Sequence, residues 1–155
     1  MAPVGIEVKS NSKPKKFKVD KNFQPLPRDA EDEFYPNGIF EFNITKMLAF
    51  IKTNPEQFPV EAVEVKSLTG ASTLDESTIQ TANPLAPIIL AEISPGRFNV
   101  IDGNHRLEKA NRDGLEKIPA YRVTADKHLA FLTSDRAYKA YIEYWNLKID
   151  DADDC

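Results

Sequence analysis

The segment from residue 87 to residue 115 constrains the fold more than any other part of the sequence. It opens with the apolar run PIILAEI, passes through the tripeptide SPG and enters a second β-rich run, RFNVID. Two such runs joined by a short Pro-Gly turn predict a β-hairpin. The second strand is expected to end at Asp102, after which HRLEKANRDGL predicts a helix of about two turns.

This helix is followed by a clear stop signal. With Gly114 in the left-handed conformation just beyond the cap, Leu115 and Ala110 form the pair that makes the apolar contact of a Schellman motif. The next run, IPAYRV, predicts a last strand, with Pro119 at its start because a missing N–H does least harm there. The segment therefore predicts strand, strand, helix and strand, in that order.

Further elements are predicted on both sides of this segment. In EFNITKMLAFIKTNP the apolar residues follow a helical period, and Asn43 is a suitable N-cap. VEAVEVKSL alternates like a half-buried strand, and in TLDESTIQTANP Thr73 and Glu76 have the spacing of a capping box ahead of a short helix. The run HLAFLTSDRAYKAYIEYWNLKI predicts an amphipathic helix capped by Ser134 or Asp135. We expect this helix to cross the sheet or to hold the N-terminal segment, with its aromatic residues in the core.

Length and composition indicate one globular domain. The chain has 155 residues, of which 41% are hydrophobic and 28% charged, as is ordinary for a single folded unit. We expect an irregular N-terminal arm over residues 1–38, a domain over 39–150 and an acidic tail over 151–155. The net charge of −4 provides no global cationic field for phosphate backbones. A nucleic-acid role needs a local patch, and the five lysines between positions 13 and 21 form one.

Cysteine usage and hydropathy bear on the location of the protein. Cys155 is the one cysteine, so neither an intrachain disulfide nor a cysteine-based metal cluster can form. The sequence has no signal-peptide core and no apolar run of about 18 residues, the length that a membrane span needs. We therefore expect a soluble, cytoplasmic protein with no membrane partner.

The pentapeptide DGNHR, which begins at Asp102 and is called the box below, contains the main candidate functional residues. Where a strand runs into a helix, the first helical N–H groups lack intrahelical partners and favour an anion. Gly103 allows a sharp turn close to a ligand, and Asn104 can serve as N-cap. Arg106 offers a fork for phosphate oxygens, while His105 can donate to an anion or move a proton. Asp102 is suited to orient the histidine or to hold Mg²⁺ through water. The same residues also suit an ordinary capped turn on a solvated helix.

The stretch PIILAEISPGRFNVIDGNHRLEKANRDGLEKIPAYRV resembles the core of the ParB/sulfiredoxin superfamily. The resemblance covers about residues 59–123 and rests on the hairpin, the box, the glycine stop and the closing strand. It implies an α+β fold in a single domain: a small mixed sheet with a phosphate-binding strand-to-helix junction, flanked by an N-terminal and a C-terminal helix. In that superfamily the box binds the phosphates of ATP, ADP or CTP. The resemblance therefore implies a nucleotide, with Mg²⁺, as the cofactor.

Carried over to this chain, the resemblance assigns phosphate contacts to Gly103, His105 and Arg106, and Asn104 is predicted to bind the nucleotide with them. Asp102 matches the acid of the kinase-type box, which makes Asp102 and His105 the catalytic candidates and Asp102 the candidate metal ligand. Sulfiredoxins place a catalytic cysteine where Asn104 stands. Because an amide is no thiolate nucleophile, sulfinic-acid reduction by that mechanism is excluded.

Other branches of the superfamily also differ from this chain. Partition ParB proteins have an arginine-rich box and a following helix-turn-helix domain, and the roughly thirty residues after Val123 are too few for such a domain. Many small members with a D-G-x-H-R box are named ParB-like nucleases, yet no metal-ligand cluster in the sequence supports two-metal chemistry. His128 is expected to pack or to begin a helix rather than to act as a second catalytic imidazole.

Two function classes stay open. In the first, the protein binds a nucleotide and transfers or hydrolyses its phosphate, with a carboxylate base drawn from Glu61, Glu64, Asp75 or Glu76. In the second, it is a non-catalytic nucleic-acid-binding or ParB-like nuclease accessory protein of a bacterial plasmid, phage or mobile element. The lysine cluster at 13–21 would then contact the phosphates.

Overall fold

The computed structural model describes residues 14–68 and 74–153 of the chain. Within these ranges the strands are β1 (Phe34–Asn37), β2 (Phe40–Asn43), β3 (Glu61–Glu64), β4 (Ile88–Ser94), β5 (Arg97–Asp102) and β6 (Lys117–Val123). The helices are α1 (Ile44–Thr53), α2 (Glu76–Thr81), α3 (Asn104–Arg112), α4 (Ala125–His128) and α5 (Asp135–Asp153). Short 3₁₀ turns lie at Val65–Ser67 and Leu129–Phe131.

One mixed sheet organises the domain, with the strand order β3-β6-β4-β5. Strands β4 and β5 form the expected antiparallel hairpin, β6 runs parallel to β4, and β3 is antiparallel to β6. Helix α3 carries the chain from β5 to β6, which lies on the other side of β4. A separate pair is formed by β1 and β2. The predicted α+β fold with a small mixed sheet is therefore confirmed.

Apolar clusters cover both faces of this sheet. Ile88 and Leu90 belong to one cluster, whereas Ile89 and Ala91 belong to another, so the two clusters lie on opposite faces of β4. The first face is packed by α3 through Leu107 and Ala110. The second, larger cluster joins the sheet to α1, α4 and α5 through buried residues that include Met47, Ile51, Ala125, Tyr141, Ile142 and Trp145.

Two helix ends form as the sequence predicts. The side chain of Asn43 accepts a hydrogen bond from the Lys46 N–H at 3.0 Å and so caps α1. Beyond α3, Gly114 is left-handed with φ of 73°, and the Leu115 N–H donates to the Ala110 carbonyl at 2.9 Å. Together with the bond from the Gly114 N–H to the Asn111 carbonyl at 3.2 Å, this bond completes the Schellman ending of α3.

Several local predictions are wrong at the level of single residues. Residues 34–37, expected within the irregular arm, form β1 and pair with β2. The strand predicted around Val63 ends at Glu64 and is followed by the 3₁₀ turn Val65–Ser67. Pro119 is the third residue of β6 rather than its first. It is tolerated inside the sheet because the pairing of β6 with β4 begins one residue later, at Ala120.

The start of α2 differs from the predicted capping box. Thr73 lies outside the described residues, and the N-cap is Asp75, whose side chain accepts a hydrogen bond from the Thr78 N–H at 3.2 Å. At the start of α5 the cap is Ser134, which accepts from the Ala137 N–H at 3.0 Å. Helix α5 continues to Asp153, through part of the segment expected to be a tail.

The N-terminal arm lies on α5. The indole N–H of Trp145 donates to the Lys15 carbonyl at 2.9 Å. The side-chain amide of Asn146 bonds both the N–H and the carbonyl of Phe17, at 2.9 and 3.0 Å. Helix α5 therefore holds the arm, and it also packs against the sheet, where the Tyr141 hydroxyl donates to the Glu92 carbonyl of β4 at 2.8 Å. No helix within the described residues is long and apolar enough to cross a membrane.

Candidate functional site

The box lies where β5 ends and α3 begins. Asp102 is the last residue of β5, Gly103 is the N-cap of α3, and Asn104 is the first helical residue. The prediction that Asn104 caps the helix is therefore wrong by one position. The reason is the backbone, because Gly103 has φ of 96°, a left-handed conformation that side-chain-bearing residues rarely adopt.

Gly103 is also required by the space around it. A Cβ atom built on this residue would stand 2.4 Å from Cγ2 of Ile88 and 3.3 Å from Cζ of Arg106. Ile88 is fully buried, so its side chain has little freedom to move away. The glycine thus allows the start of β4, the turn and the arginine to approach one another closely.

Arg106 ties the end of β5 to the start of β4. Its Nη1 donates to the Pro87 carbonyl at 2.5 Å, and its Nη2 donates to Oδ2 of Asp102 at 3.0 Å. The side chains of Arg106 and Asp102 are 22% and 21% exposed, so the pair is only partly shielded from water. A guanidinium has five N–H groups in total, and these two bonds therefore leave donors for a ligand.

His105 contacts the segment that leads into α2. The backbone N–H of Asp75 donates to Nε2 of His105 over 3.4 Å. A ring nitrogen that accepts a hydrogen bond has no proton of its own, so the neutral ring carries its proton on Nδ1. Hydrogen bonds from Ser77 and Thr78 lower the pKa of the Asp75 carboxyl group, and the charge of His105 acts in the same direction. His105 therefore lies next to a carboxylate whose pKa is lowered.

An open hollow of about 420 Å³ brings most of the box together. A volume of a few hundred Å³ is in the range of small-molecule sites. One wall consists of Asp102, Gly103, His105 and Arg106, and the opposite wall is formed by the end of α2 and the following loop, with Thr78, Thr81, Ala82, Asn83 and Ala86. Asn104 is not part of this wall. It lines a second hollow of about 310 Å³, on the side of Lys66 and Glu108.

The carboxylate candidates are scattered. Glu61 pairs with Arg122 at 3.1 Å, and Glu64 is exposed on β3. Glu76 pairs with Arg112 of α3, and this guanidinium lowers the pKa of the glutamate. Asp75 contacts the box through its backbone N–H, which donates to His105, and not through its carboxylate. Among the described residues that line the hollow, none is one of these four carboxylates.

The donor set does not fit a resident metal ion. Within the described residues no three His, Cys, Asp or Glu side chains gather, and the carboxylate of Asp102 already accepts from Arg106. In phosphate sites Mg²⁺ is usually held by one or two carboxylates together with phosphate oxygens and water. A single carboxylate at the box therefore fits only a cation that arrives with a phosphate-bearing ligand.

His128 is a core residue, as expected from the sequence. Its side chain is fully buried, and its Nε2 lies 2.5 Å from the Glu92 carbonyl. Its ring packs edge-on against Phe42 and Tyr141. Burial lowers the pKa of His128 to about 4. His128 does not line the hollow, so it is not a second imidazole of this site.

The lysine cluster lies on the docked arm. Lys13 is outside the described residues, and Lys16 pairs with Asp150 of α5 at 2.5 Å. The described lysines of the cluster are exposed: Lys15, Lys16, Lys18 and Lys21. None of these four side chains lines the hollow beside the box.

Sequence reasoning missed the opposite wall of the hollow and the Pro87 carbonyl. One signal for them exists in the hairpin, because its register pairs Ile89 with Asp102. The residues immediately before β4 must then approach the box. A short loop that contains Asn83 and Pro84 precedes this point and could have been assigned to the site on that ground.

Comparison with known families agrees with this architecture. The family model of the ParB N-terminal domain matches residues 51–133, which is more than half of the 155-residue chain. The match contains the whole mixed sheet, α3 and the box, and it encloses the region 59–123 that carries the superfamily resemblance. A comparison with curated proteins gave no match. The chain therefore belongs to the ParB N-terminal domain family and has a ParB/sulfiredoxin-like fold.

Proposed function

We propose that the hollow beside the box binds the phosphate groups of a nucleotide. The observation that supports this most is that Gly103, His105 and Arg106 line one open hollow at the N-terminus of α3. A helix N-terminus favours an anion, and guanidinium groups are well matched to phosphate oxygens. The superfamily resemblance favours ATP, ADP or CTP as the nucleotide.

Hydrogen-bond donors for a phosphate are available on both walls. On one wall, Arg106 keeps unused N–H groups and His105 carries a proton on Nδ1. On the other wall, the Asn83 side-chain oxygen accepts from the Leu85 N–H at 3.0 Å, which fixes the side chain and leaves its NH₂ group as a donor. Because Arg106 is already held by the Pro87 carbonyl, binding costs little side-chain entropy.

Thermal unfolding tests this proposal. The panel is ATP, ADP, CTP and inorganic phosphate, each with and without Mg²⁺. A ligand at about one hundred times its Kd stabilises the native state by about 2.7 kcal/mol, so we expect at least one nucleotide to raise the Tm clearly. Arg106→Lys keeps the charge but loses the fork, and we expect it to reduce the Tm increase.

Arg112→Ala is the matched control for that variant. Arg112 lies on the same helix, pairs with Glu76 and Glu108, and does not line the hollow. It should respond to the nucleotide as the unaltered protein does. No rise in Tm with any nucleotide, or a rise that Arg106→Lys leaves unchanged, would contradict the proposal.

Phosphoryl transfer or hydrolysis is a narrower form of the same proposal. His105 is the candidate to move a proton, while Asp102 is the one carboxylate in the described wall of the hollow. The test is phosphate release from ATP or CTP by the unaltered protein and by His105→Gln. Release that the variant loses supports turnover, and nucleotide binding without any release restricts the site to binding.

Nucleic-acid binding is a second candidate function, and the docked arm favours it. Because α5 holds the arm in place, Lys15, Lys18 and Lys21 are presented without the entropy cost of ordering a free tail. We expect binding to duplex DNA that weakens steeply with salt. Replacement of these three lysines by glutamine should abolish it, and DNA binding that survives the replacement would refute this role of the arm.

A further inference from the structure

We propose that Asp102 is an internal counter-anion of Arg106 that opposes phosphate binding. This inference rests on the proposed function and states what limits the affinity of the site. Asp102 and Arg106 both line the hollow, and Nη2 of the arginine donates to Oδ2 of the aspartate at 3.0 Å. A phosphate that reaches the guanidinium must therefore share it with a carboxylate.

Arg106 has a second hydrogen-bond partner besides Asp102, which also fixes its orientation. Its Nη1 donates to the Pro87 carbonyl at 2.5 Å, and its Cζ lies 3.3 Å from the place that a Cβ atom on Gly103 would occupy. Both neighbours are uncharged parts of the fold, at the start of β4 and at the N-cap of α3. Asp102 adds one more hydrogen bond and a negative charge, and it is the charge that opposes a phosphate.

Electrostatics decides the direction of the effect. At an effective dielectric constant of about 20, two like charges about 5 Å apart change a binding constant by more than about tenfold. Replacing Asp102 by asparagine removes this repulsion but keeps an oxygen that can accept from Arg106. Phosphate binding should then become tighter. The gain should increase with the charge of the ligand and decrease as salt screens it.

The experiment is calorimetric titration of the full chain with inorganic phosphate, pyrophosphate and ADP at low salt, without a divalent cation. Asp102→Asn is compared with the unaltered protein, and Asp102→Ala is a second neutral variant if the first does not fold. Asp113→Asn is the matched control. Asp113 ends α3 and faces Lys109 at 3.8 Å with the same i,i+4 spacing, but it does not line the hollow.

We expect the neutral variants to bind ADP about five- to fiftyfold more tightly than the unaltered protein, with a larger gain for pyrophosphate than for phosphate. Asp113→Asn should bind like the unaltered protein. If the unaltered protein binds and a folded Asp102 variant binds equally or less tightly, the counter-anion role is wrong while the nucleotide site stands. If neither the unaltered protein nor a folded variant binds any probe, the proposed function fails and this inference fails with it.

Discussion

The indole N–H of Trp145 donates to the carbonyl of Lys15 at 2.9 Å, and this bond joins the two ends of the described chain. Next to it, the side chain of Asn146 bonds both backbone groups of Phe17. The arm therefore contributes to the stability of the fold, although its described part before β1, residues 14–33, contains no helix or strand.

Asn146→Ala removes both bonds to Phe17 at once. We expect a loss of about 1–3 kcal/mol in the free energy of unfolding, because two partly buried backbone groups lose their partner. Urea denaturation measures this loss, and limited proteolysis should cut the arm sooner. Glu143→Ala, at an exposed position of the same helix, is the control and should change the stability much less. Equal effects of the two variants would show that Asn146 does not hold the arm.

Gly103→Ala and Gly114→Ala separate backbone strain from steric overlap. Both glycines have positive φ, at 96° and 73°, so alanine costs about 1–2 kcal/mol at either position. Alanine at 103 also overlaps with Ile88, whereas at 114 nothing lies within 4 Å. We expect Gly103→Ala to lose roughly 1–3 kcal/mol more than Gly114→Ala, since overpacking a core costs that much. Chemical denaturation of the two variants measures how much free energy of unfolding each one loses. Equal losses would mean that the turn at Gly103 is not tightly packed.

His128 should make the stability fall in mild acid. Its pKa is lowered from 6.5 to about 4 by burial, so the unfolded chain takes up a proton before the folded one does. The neutral, buried ring therefore contributes fully to the free energy of unfolding above about pH 6.5, and this contribution decreases as the pH falls to about 4. The loss approaches about 3 kcal/mol, because one pKa unit corresponds to about 1.4 kcal/mol.

His128→Gln tests this assignment. Glutamine can still donate to the Glu92 carbonyl but does not titrate. We expect the unfolding free energy of the variant to change less between pH 7 and pH 4.5 than that of the unaltered protein. His105→Gln, at a partly exposed position, is the control. An unaltered pH dependence in His128→Gln would show that other groups cause the acid sensitivity.

The parts of the fold that depend on neighbours in sequence could be predicted. The hairpin, the Asn43 cap and the Gly114 ending each involve contacts within a few residues, so the local pattern determines them. Strand β1 also pairs locally, with β2 across Gly38 and Ile39, but its sequence FYPN contains a proline, which argues against a strand. Pro119 was misplaced for a related reason, since sequence alone does not tell which strands lie next to β6.

For the candidate site, the sequence predicts which residues take part but not which hydrogen-bond partners they have. The sequence identified Asp102, Gly103, His105 and Arg106, and the structure places these four around one hollow. It did not reveal that Arg106 bonds to the Pro87 carbonyl, 19 residues earlier in the chain. Asn104 was assigned to the same site, yet it turns to the other side of α3 because the left-handed Gly103 takes the cap position.

The central claim is that the box binds the phosphates of a nucleotide. The most direct test is a map of backbone amide chemical-shift changes when ADP is added to ¹⁵N-labelled protein. We predict that the largest changes occur at Gly103, His105 and Arg106, with little change at Gly114 beyond the other end of α3. An absence of changes at the box, or larger changes at the arm than at the box, would contradict the claim.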